Sequence, residues 1–188
     1  MTSTLLVPDQ EHGYKPYTLK TNHTNDRIPV QLVPQLGQDM TTLTLEHTAF
    51  RKLNAVEADP LAIVGADDLV KFNSLTDASL LHSLRVRYAR DAIYTSAGSI
   101  LVSVNPFKQL PIYTDAAMAA CKEADAKALP ELSPHVYVLS ETAFRGMLGE
   151  HAPQAILISG ESGAGKTEAA KSCVQYIVAR SHEAAAAA

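Results

Sequence analysis

The chain has 188 residues, of which 46% are hydrophobic and 19% are charged. This length accommodates one domain, or a small domain with part of a larger one, and the composition excludes a disordered or collagen-like chain. The 16 lysines and arginines and 20 aspartates and glutamates give a net charge of −4. That balance argues against nucleic-acid binding, which requires a basic surface.

The cysteine content and the N-terminus indicate a cytoplasmic protein. Cys121 and Cys173 are too few for a disulfide framework or a zinc site, which favours a reducing compartment. The N-terminus lacks the basic and apolar regions of a secretory signal. Apolar runs fall short of the ~18 residues of a membrane span, so we expect no membrane-spanning segment.

The first 60 residues are rich in threonine, proline, glutamine and asparagine. Short apolar or β-branched runs alternate there with turn residues, including Gly13 and Gly37. The pattern predicts a small β-barrel or sandwich, with strands at residues 5–7, 17–19, 28–33 and 41–45.

A helical pattern begins at Thr76, which is a suitable N-cap. The apolar face of this helix is predicted to consist of Leu80, Leu81, Leu84 and Tyr88. We expect its arginines to lie on the solvated face, in particular Arg85 and Arg87. After the helix, β-rich runs at 93–95 and 99–104 flank a turn at 96–98 and predict a hairpin.

The second half of the chain is predicted to be mostly helical. Helices are expected at residues 115–128 and 136–148, the latter closed by Gly149. The apolar run 155–158 predicts a strand buried on both faces of a parallel sheet. A helix is predicted over 166–182, with inward residues Ala170, Cys173, Val174 and Ile177. Residues 184–188 form a low-complexity alanine tail.

The clearest motif lies between the predicted buried strand and the last helix. Residues 160–167 read Gly-Glu-Ser-Gly-Ala-Gly-Lys-Thr and match G-x-x-x-x-G-K-S/T. Glycines let successive N–H groups point into one concavity, and the following helix directs its positive end to the same place. Lys166 can reach the β- and γ-phosphates, and Thr167 can ligate Mg²⁺. The motif predicts a nucleotide-phosphate site but does not separate ATP from GTP. The predicted phosphate-binding residues are Gly160, Glu161, Ser162, Gly163, Ala164, Gly165, Lys166 and Thr167, the last two with catalytic roles.

Four blocks of sequence resemble the myosin motor domain. Residues 160–168, G-E-S-G-A-G-K-T-E, are similar to its phosphate loop, and residues 105–113, N-P-F-K-Q-L-P-I-Y, are similar to its adenine segment. Residues 84–95 resemble the helix-to-strand stretch L-x-x-R-Y…I-Y-T. Residues 134–145 resemble a fourth, weaker block, P-H-V-Y…A-F-R.

This resemblance implies an α/β fold: the N-terminal portion of a phosphate-loop NTPase core preceded by a small SH3-like β-barrel. The implied domains are 1–62 for the barrel and 63–183 for the core, followed by the tail at 184–188. The implied cofactors are ATP and Mg²⁺, and the implied partner is the actin filament in the cytoplasmic cytoskeleton. The residues that would line the adenine pocket are Asn105, Pro106, Lys108 and Tyr113, with the ring of Tyr113 beside the base.

Two further loops of the family's active site, N-x-x-S-S-R-F-G and D-I-x-G-F-E, do not occur in these 188 residues. The resemblance therefore implies the first quarter of a motor, not competent for hydrolysis alone. Alternatives are another phosphate-loop NTPase or kinase, or a truncated product that acts only as a binding module. Glu141, Glu161 and Glu168 are expected to be structural or solvated. His82 and His135 are expected on helix surfaces or in packing.

Overall fold

The computed structural model describes residues 4–10, 13–19, 30–34, 42–52 and 54–186. The chain divides into two compact units, Met1–Arg90 and Asp91–Ala188. Both units combine helices with strands, which confirms the predicted α/β character at this coarse level.

The described residues of the first unit include an antiparallel sheet with the strand order β4-β3-β2-β1-β5. Its core includes Leu5, Val7 and Tyr17, which alternation places on one face. Residues 28, 29 and 41 of the predicted strands and the predicted turn at Gly37 lie outside the described residues, and Gly13 begins a strand. The strands are β1 (Thr4–Asp9), β2 (Gly13–Leu19), β3 (Val30–Pro34), β4 (Leu43–Leu45) and β5 (Val56–Glu57).

One helix of this unit lies between β4 and β5, and the other helical segments described follow β5. They are α1 (His47–Lys52), α2 (Pro60–Val64), a 3₁₀ turn (Leu69–Lys71) and α3 (Asp77–Tyr88). The buried Asp59 carboxylate caps α2 by accepting the N–H of Leu61 at 2.9 Å. Its other oxygen accepts the N–H groups of Asn73 at 2.8 Å and Ser74 at 3.3 Å. Asp59 therefore ties the start of α2 to the segment that leads into α3.

The predicted cap of α3 is confirmed, but its predicted apolar face is wrong. Thr76 Oγ1 accepts the N–H of Ser79 at 3.1 Å. Leu81 is 45% exposed and Tyr88 is 38% exposed. Helix α3 packs on α2 and β2, and small side chains permit this close approach. The face that packs therefore consists of Ala78, Ser79, His82 and Ser83.

The prediction that Arg85 and Arg87 are solvated is also wrong. Both are half-buried. Arg85 donates to the carbonyl of Tyr14 at 2.9 Å, and Arg87 donates to the carbonyl of Gly65 at 3.2 Å. Arg87 satisfies a carbonyl at the end of α2, where intrahelical donors are missing.

The second unit begins with the predicted hairpin, formed by β6 (Tyr94–Ala97) and β7 (Ile100–Ser103). The turn is Gly98–Ser99 instead of 96–98, since Ala97 pairs with Ile100. Gly98 has φ 62°, and a positive φ in a two-residue loop matches the twist of the strands. Strand β7 ends two residues before Asn105.

Three helices follow: α4 (Asp115–Glu123), α5 (Val136–Glu150) and α6 (Lys166–Ala186), with a 3₁₀ turn at Leu129–Glu131. Helix α4 ends earlier than predicted because the Asp125 carboxylate accepts the N–H groups of Lys127 and Ala128 at 2.7 and 2.8 Å. Helix α5 continues past Gly149 to a left-handed His151. Helix α6 begins where predicted and extends into the predicted tail, of which residues 187 and 188 lie outside the described residues.

Helices α5 and α6 pack together and contribute Val136, Tyr137, Cys173 and Tyr176 to the core of this unit. Cys173 is buried as predicted, whereas Val174 is 60% exposed, contrary to its predicted inward position. Tyr176 is fully buried. The buried residues are Ile93, Tyr94, Cys121, Leu129, Val136, Tyr137, Cys173 and Tyr176.

The predicted buried strand at residues 155–158 is wrong. The segment has no assigned strand, and the sheet described in this unit contains only β6 and β7. Leu157 is 93% exposed, whereas Ile156 and Ile158 are half-buried. A strand is defined by a pairing neighbour, and the described part of this unit supplies none here.

We predict that Gly65→Ala destabilises the chain. Gly65 has φ 74°, and a Cβ there would lie 2.9 Å from Val86 Cγ1. Backbone strain and overpacking together should lower the free energy of unfolding by about 2 kcal/mol, measured by urea denaturation. Gly149→Ala is the matched control because, among the described residues, a Cβ there meets no atom within 4 Å outside its chain neighbours and its own helix backbone. A Gly65→Ala chain as stable as the Gly149→Ala chain would contradict this reading.

Candidate functional site

The glycine-rich loop connects the extended segment to α6. Gly160, Gly163 and Gly165 have φ values of 149°, 81° and 91°, a region that side chains disfavour. A turn inside the loop is closed by the N–H of Ala164, which donates to the carbonyl of Glu161 at 3.2 Å. Helix α6 begins at Lys166, so its unpaired N–H groups and positive dipole end face this loop. The geometry suits an anion.

The Lys166 ammonium lies over the loop. Its Nζ donates to the carbonyls of Gly160 and Glu161, both at 2.8 Å. An ammonium has three N–H donors, so one remains for an oxygen of an anion held by the loop. The Lys166 ammonium therefore already lies beside the glycine-rich loop, where an anion would bind.

The polar side chains around the loop differ in their surroundings. Glu161, Ser162 and Thr167 are exposed, and Thr167 lies in the first turn of α6. Glu168 forms a surface ion pair with Lys171 at 2.7 Å. Glu141 is fully buried between α5 and α6. Glu161 and Glu168 are thus solvated and Glu141 is structural, in line with the expectation for these three carboxylates.

Asn105 lies directly against the loop. Its Nδ2 donates to the carbonyl of Gly163 at 2.7 Å, and its Oδ1 accepts the N–H of Phe107 at 3.0 Å. A Cβ on Gly165 would lie 3.6 Å from Asn105 Cγ. The structure therefore brings the first residue of the 105–113 segment into contact with the phosphate-loop motif.

Tyr113 is linked to the loop region through Tyr94. The two hydroxyl oxygens are 2.8 Å apart. Tyr94 lines a cavity of about 130 Å³ together with Ala164, Gly165 and Lys166. Tyr113 is 37% exposed, so part of its ring remains accessible. Both predicted site segments therefore border one region of this unit.

The Lys108 ammonium is paired with a carboxylate that lies outside the loop. Its Nζ lies 2.6 Å from the Asp91 carboxylate, and both side chains are more than half exposed. Pro106 follows Asn105 directly in the chain. Of the four predicted adenine-pocket residues, Asn105 contacts the loop, Tyr113 connects to it through Tyr94, and Lys108 forms a surface ion pair.

The ring of Tyr113 packs against an aromatic cluster. Its ring centroid lies 5.5 Å from that of His135 and 6.1 Å from that of Tyr137. Burial, and then the hydrogen bond with Tyr113, raise the pKa of Tyr94, so its hydroxyl stays protonated. The hydroxyl of Tyr113 therefore has a neutral hydrogen-bond partner in Tyr94.

His135 is a residue whose role the sequence did not reveal. Its Nδ1 accepts the N–H of Tyr137 at 3.1 Å and so caps α5. The usable sequence signal was its position directly before the helix, after Pro134. Burial lowers the pKa of His135 to about 4, and the prediction that it is a packing residue holds.

We predict that His135 remains neutral well below the usual range for histidine. The unfolded chain should protonate it near pH ~6.5, whereas the folded pKa is about 4. The unfolded state therefore binds more protons, and stability falls as the pH decreases from the first value to the second. An NMR titration of the imidazole carbon-bound protons would test this, and a midpoint above pH 6 would contradict it.

The chain is similar to proteins of one family. The family model described as Myosin head (motor domain) matches residues 66–188. Myosin-1 of Arabidopsis thaliana is 45% identical over 124 residues, which are 66% of this chain and 10% of that relative. Myosin-14 of Homo sapiens is 37% identical over 171 residues, 91% of this chain and 8% of that relative. The high molecular weight form of myosin-1 of Acanthamoeba castellanii is 47% identical over 110 residues, 58% of this chain and 7% of that relative.

The chain spans a tenth or less of the length of these curated relatives. Among the described residues, no helix combines the length and the apolar character that crossing a membrane requires. The described residues also contain no group of three or more histidine, cysteine, aspartate or glutamate side chains that could hold a metal ion.

Proposed function

Because the chain belongs to the myosin motor-domain family, we propose that it carries the nucleotide-phosphate site of an ATP-driven motor that moves on actin. The observation that carries this proposal is the loop from Gly160 to Thr167. Its glycines adopt positive φ values, and Lys166 lies over it at the start of α6. These features together favour a bound polyphosphate.

We propose that the loop residues hold the triphosphate of ATP. Backbone N–H groups of residues 160–167 bind phosphate oxygens, and Lys166 uses its remaining donor for the β- or γ-phosphate. These groups act by position and charge, which is how phosphoryl transfer is accelerated.

The site suits Mg²⁺ held jointly with a nucleotide. Thr167 provides an exposed hydroxyl in the first turn of α6. Mg²⁺ characteristically takes one or two protein oxygens and completes its coordination with phosphates and water. An all-protein cage is therefore unnecessary, and Mg²⁺ would supply charge neutralisation between the phosphates.

We propose that Asn105, Pro106, Lys108 and Tyr113 line the adenine pocket, with the ring of Tyr113 beside the base. The contact of Asn105 with Gly163 and the partial exposure of Tyr113 support this assignment. Lys108 would have to leave Asp91 or use its aliphatic stem, because its ammonium is in a surface ion pair.

We propose that residues 1–62 form an SH3-like β subdomain, that residues 63–183 form the N-terminal part of a phosphate-loop motor core, and that 184–188 are a tail. The antiparallel five-stranded sheet between Thr4 and Glu57 supports the first assignment. The family match that begins at residue 66 supports the second. The whole motor would work in the cytoplasm, on the actin cytoskeleton.

We propose that the 188 residues bind nucleotide without hydrolysing it at a motor-like rate. The loop supplies a cradle, a cation and one metal ligand. The groups that orient the attacking water in this family belong to the two motifs that are not in this sequence. Phosphate release by the purified chain should stay at background with and without actin filaments. Clear activation by actin would contradict the proposal.

A further inference from the structure

We propose that Asn105 is a positioning residue that fixes the phosphate loop, and that this role is separate from any contact with the base. The inference rests on the proposed function, because it concerns the same loop. Asn105 should therefore affect the affinity for every ligand whose phosphates are held by the loop, whether or not that ligand carries a base.

Both functional atoms of the Asn105 amide are already engaged within the protein. Nδ2 donates to the Gly163 carbonyl at 2.7 Å, and Oδ1 accepts the N–H of Phe107 at 3.0 Å. Each atom keeps some capacity, since the amide has a second N–H and a second lone pair. The primary contacts, however, join the 105–107 turn to the loop.

The bond to Gly163 determines the direction of the next N–H. A peptide group is planar and trans, so the Gly163 carbonyl and the Ala164 N–H point in opposite directions. Ala164 N donates to the Glu161 carbonyl at 3.2 Å, and Lys166 Nζ donates to the same carbonyl at 2.8 Å. A continuous chain of contacts therefore runs from Asn105 through the loop to the Lys166 ammonium.

The loop needs such a support because its backbone is permissive. Gly163 and Gly165 lack the Cβ atoms that restrict φ and ψ. Among the described residues, no atom beyond the chain neighbours of Gly163 lies within 4 Å of a Cβ position there. Asn105 is braced by the following Pro106, whose ring fixes φ, and by the left-handed Phe107 at φ 50°. Asn105 thus offers a restrained donor to a flexible loop.

The test compares two ligands on the full chain. Asn105→Asp keeps an acceptor for the Phe107 N–H but replaces the donor to Gly163 by an oxygen. Gln175→Glu is the matched control, since it adds the same charge at an exposed position on α6, outside both site segments. Affinities are measured by calorimetry for MgATP and for Mg-tripolyphosphate, which has no base.

We expect Asn105→Asp to weaken the binding of both ligands by about tenfold, beyond the shift caused by Gln175→Glu. Asn105→Ala, which adds no charge, should weaken both in the same direction. Unchanged tripolyphosphate affinity in both variants, with weaker ATP binding, would assign Asn105 to the base alone and overturn the inference.

A second measurement decides the inference without any ligand. In Asn105→Asp and Asn105→Ala, the amide hydrogen of Ala164, which is bonded to the Glu161 carbonyl, should exchange several-fold faster than in wild type, while exchange in the core of α5 and α6 stays unchanged. Unchanged exchange in the loop would overturn the inference.

If wild type bound neither ligand, the proposed function would fail, and the exchange result alone would decide the role of Asn105. General acceleration throughout this unit would indicate unfolding and would also count against a local positioning role.

Discussion

Replacing Lys166 by alanine is expected to weaken the binding of MgATP by roughly ten- to a hundredfold. The ammonium lies over the loop, 2.8 Å from each of the Gly160 and Glu161 carbonyls. A charge-assisted bond to a phosphate oxygen is stronger than a neutral one. The variant would lose this bond while the glycine backbone remained. Calorimetric titration of wild type and variant measures the difference.

Lys171→Ala is the matched control for Lys166→Ala. Lys171 lies on the same helix, and its ammonium pairs with Glu168 on the surface at 2.7 Å. Removal of a lysine from α6 therefore changes the net charge equally in both variants. Equal ATP affinity for wild type and Lys166→Ala, or equal losses in both variants, would show that the loop lysine is not a phosphate ligand.

The second large effect concerns a buried carboxylate between α5 and α6. The Glu141 side chain has no exposed surface. Its oxygens accept from Arg145 Nε at 2.7 Å, Arg180 Nε at 2.9 Å and the Tyr176 hydroxyl at 2.9 Å. The cluster fixes α6, and thereby the helix that starts at the phosphate loop, against α5.

Glu141→Ala is expected to lower the free energy of unfolding by about 3 kcal/mol. Removal of one partner from a buried ion pair leaves the others with unmet charge and hydrogen-bonding needs. Arg180 and Tyr176 would both lose their acceptor. Urea denaturation measures the change, and Glu168→Ala serves as the control because its ion pair is exposed and worth little. Equal stability of the two variants would contradict the assigned role.

The Glu141 cluster should also determine how the free energy of unfolding depends on pH in acid. Burial by itself would raise the pKa of Glu141, but the hydrogen bonds from Arg180, Arg145 and Tyr176 outweigh it and hold the pKa below its ordinary value. The contribution of Glu141 to stability is therefore fully present above the unfolded value of about 4.3. It is lost as the pH falls through the lower folded pKa. Glu141→Gln should flatten the stability profile below that pH, and an unchanged acid slope would contradict this.

Local signals predicted several elements of the fold correctly. Thr76 caps α3, the 93–104 stretch forms a hairpin, and α6 begins at Lys166. Each of these depends on residues close together in the sequence: a side-chain oxygen near a free N–H, a glycine in a tight turn, or a switch of periodicity. The contact of Asn105 with Gly163 fits the pairing of the two motifs that the resemblance implied.

Features set by distant residues could not be predicted. The apolar run at 155–158 has the composition of a buried strand, but pairing depends on neighbours, and Leu157 is 93% exposed here. The Glu141 cluster joins residues 35 and 39 positions apart, which no local pattern reports. The face of α3 that packs against α2 consists mostly of small and polar residues. A count of apolar residues therefore selected the opposite, more exposed side of the helix.

Nucleotide is expected to bind at the glycine-rich loop and the 105–113 segment. The most direct measurement is an amide NMR titration of the full chain with MgATP, with resonances assigned residue by residue. We expect saturable shifts at residues 160–167 and 105–113, and none in the sheet formed by β1 to β5. Shifts confined to that sheet, or no shifts at millimolar MgATP, would contradict this location of the nucleotide site.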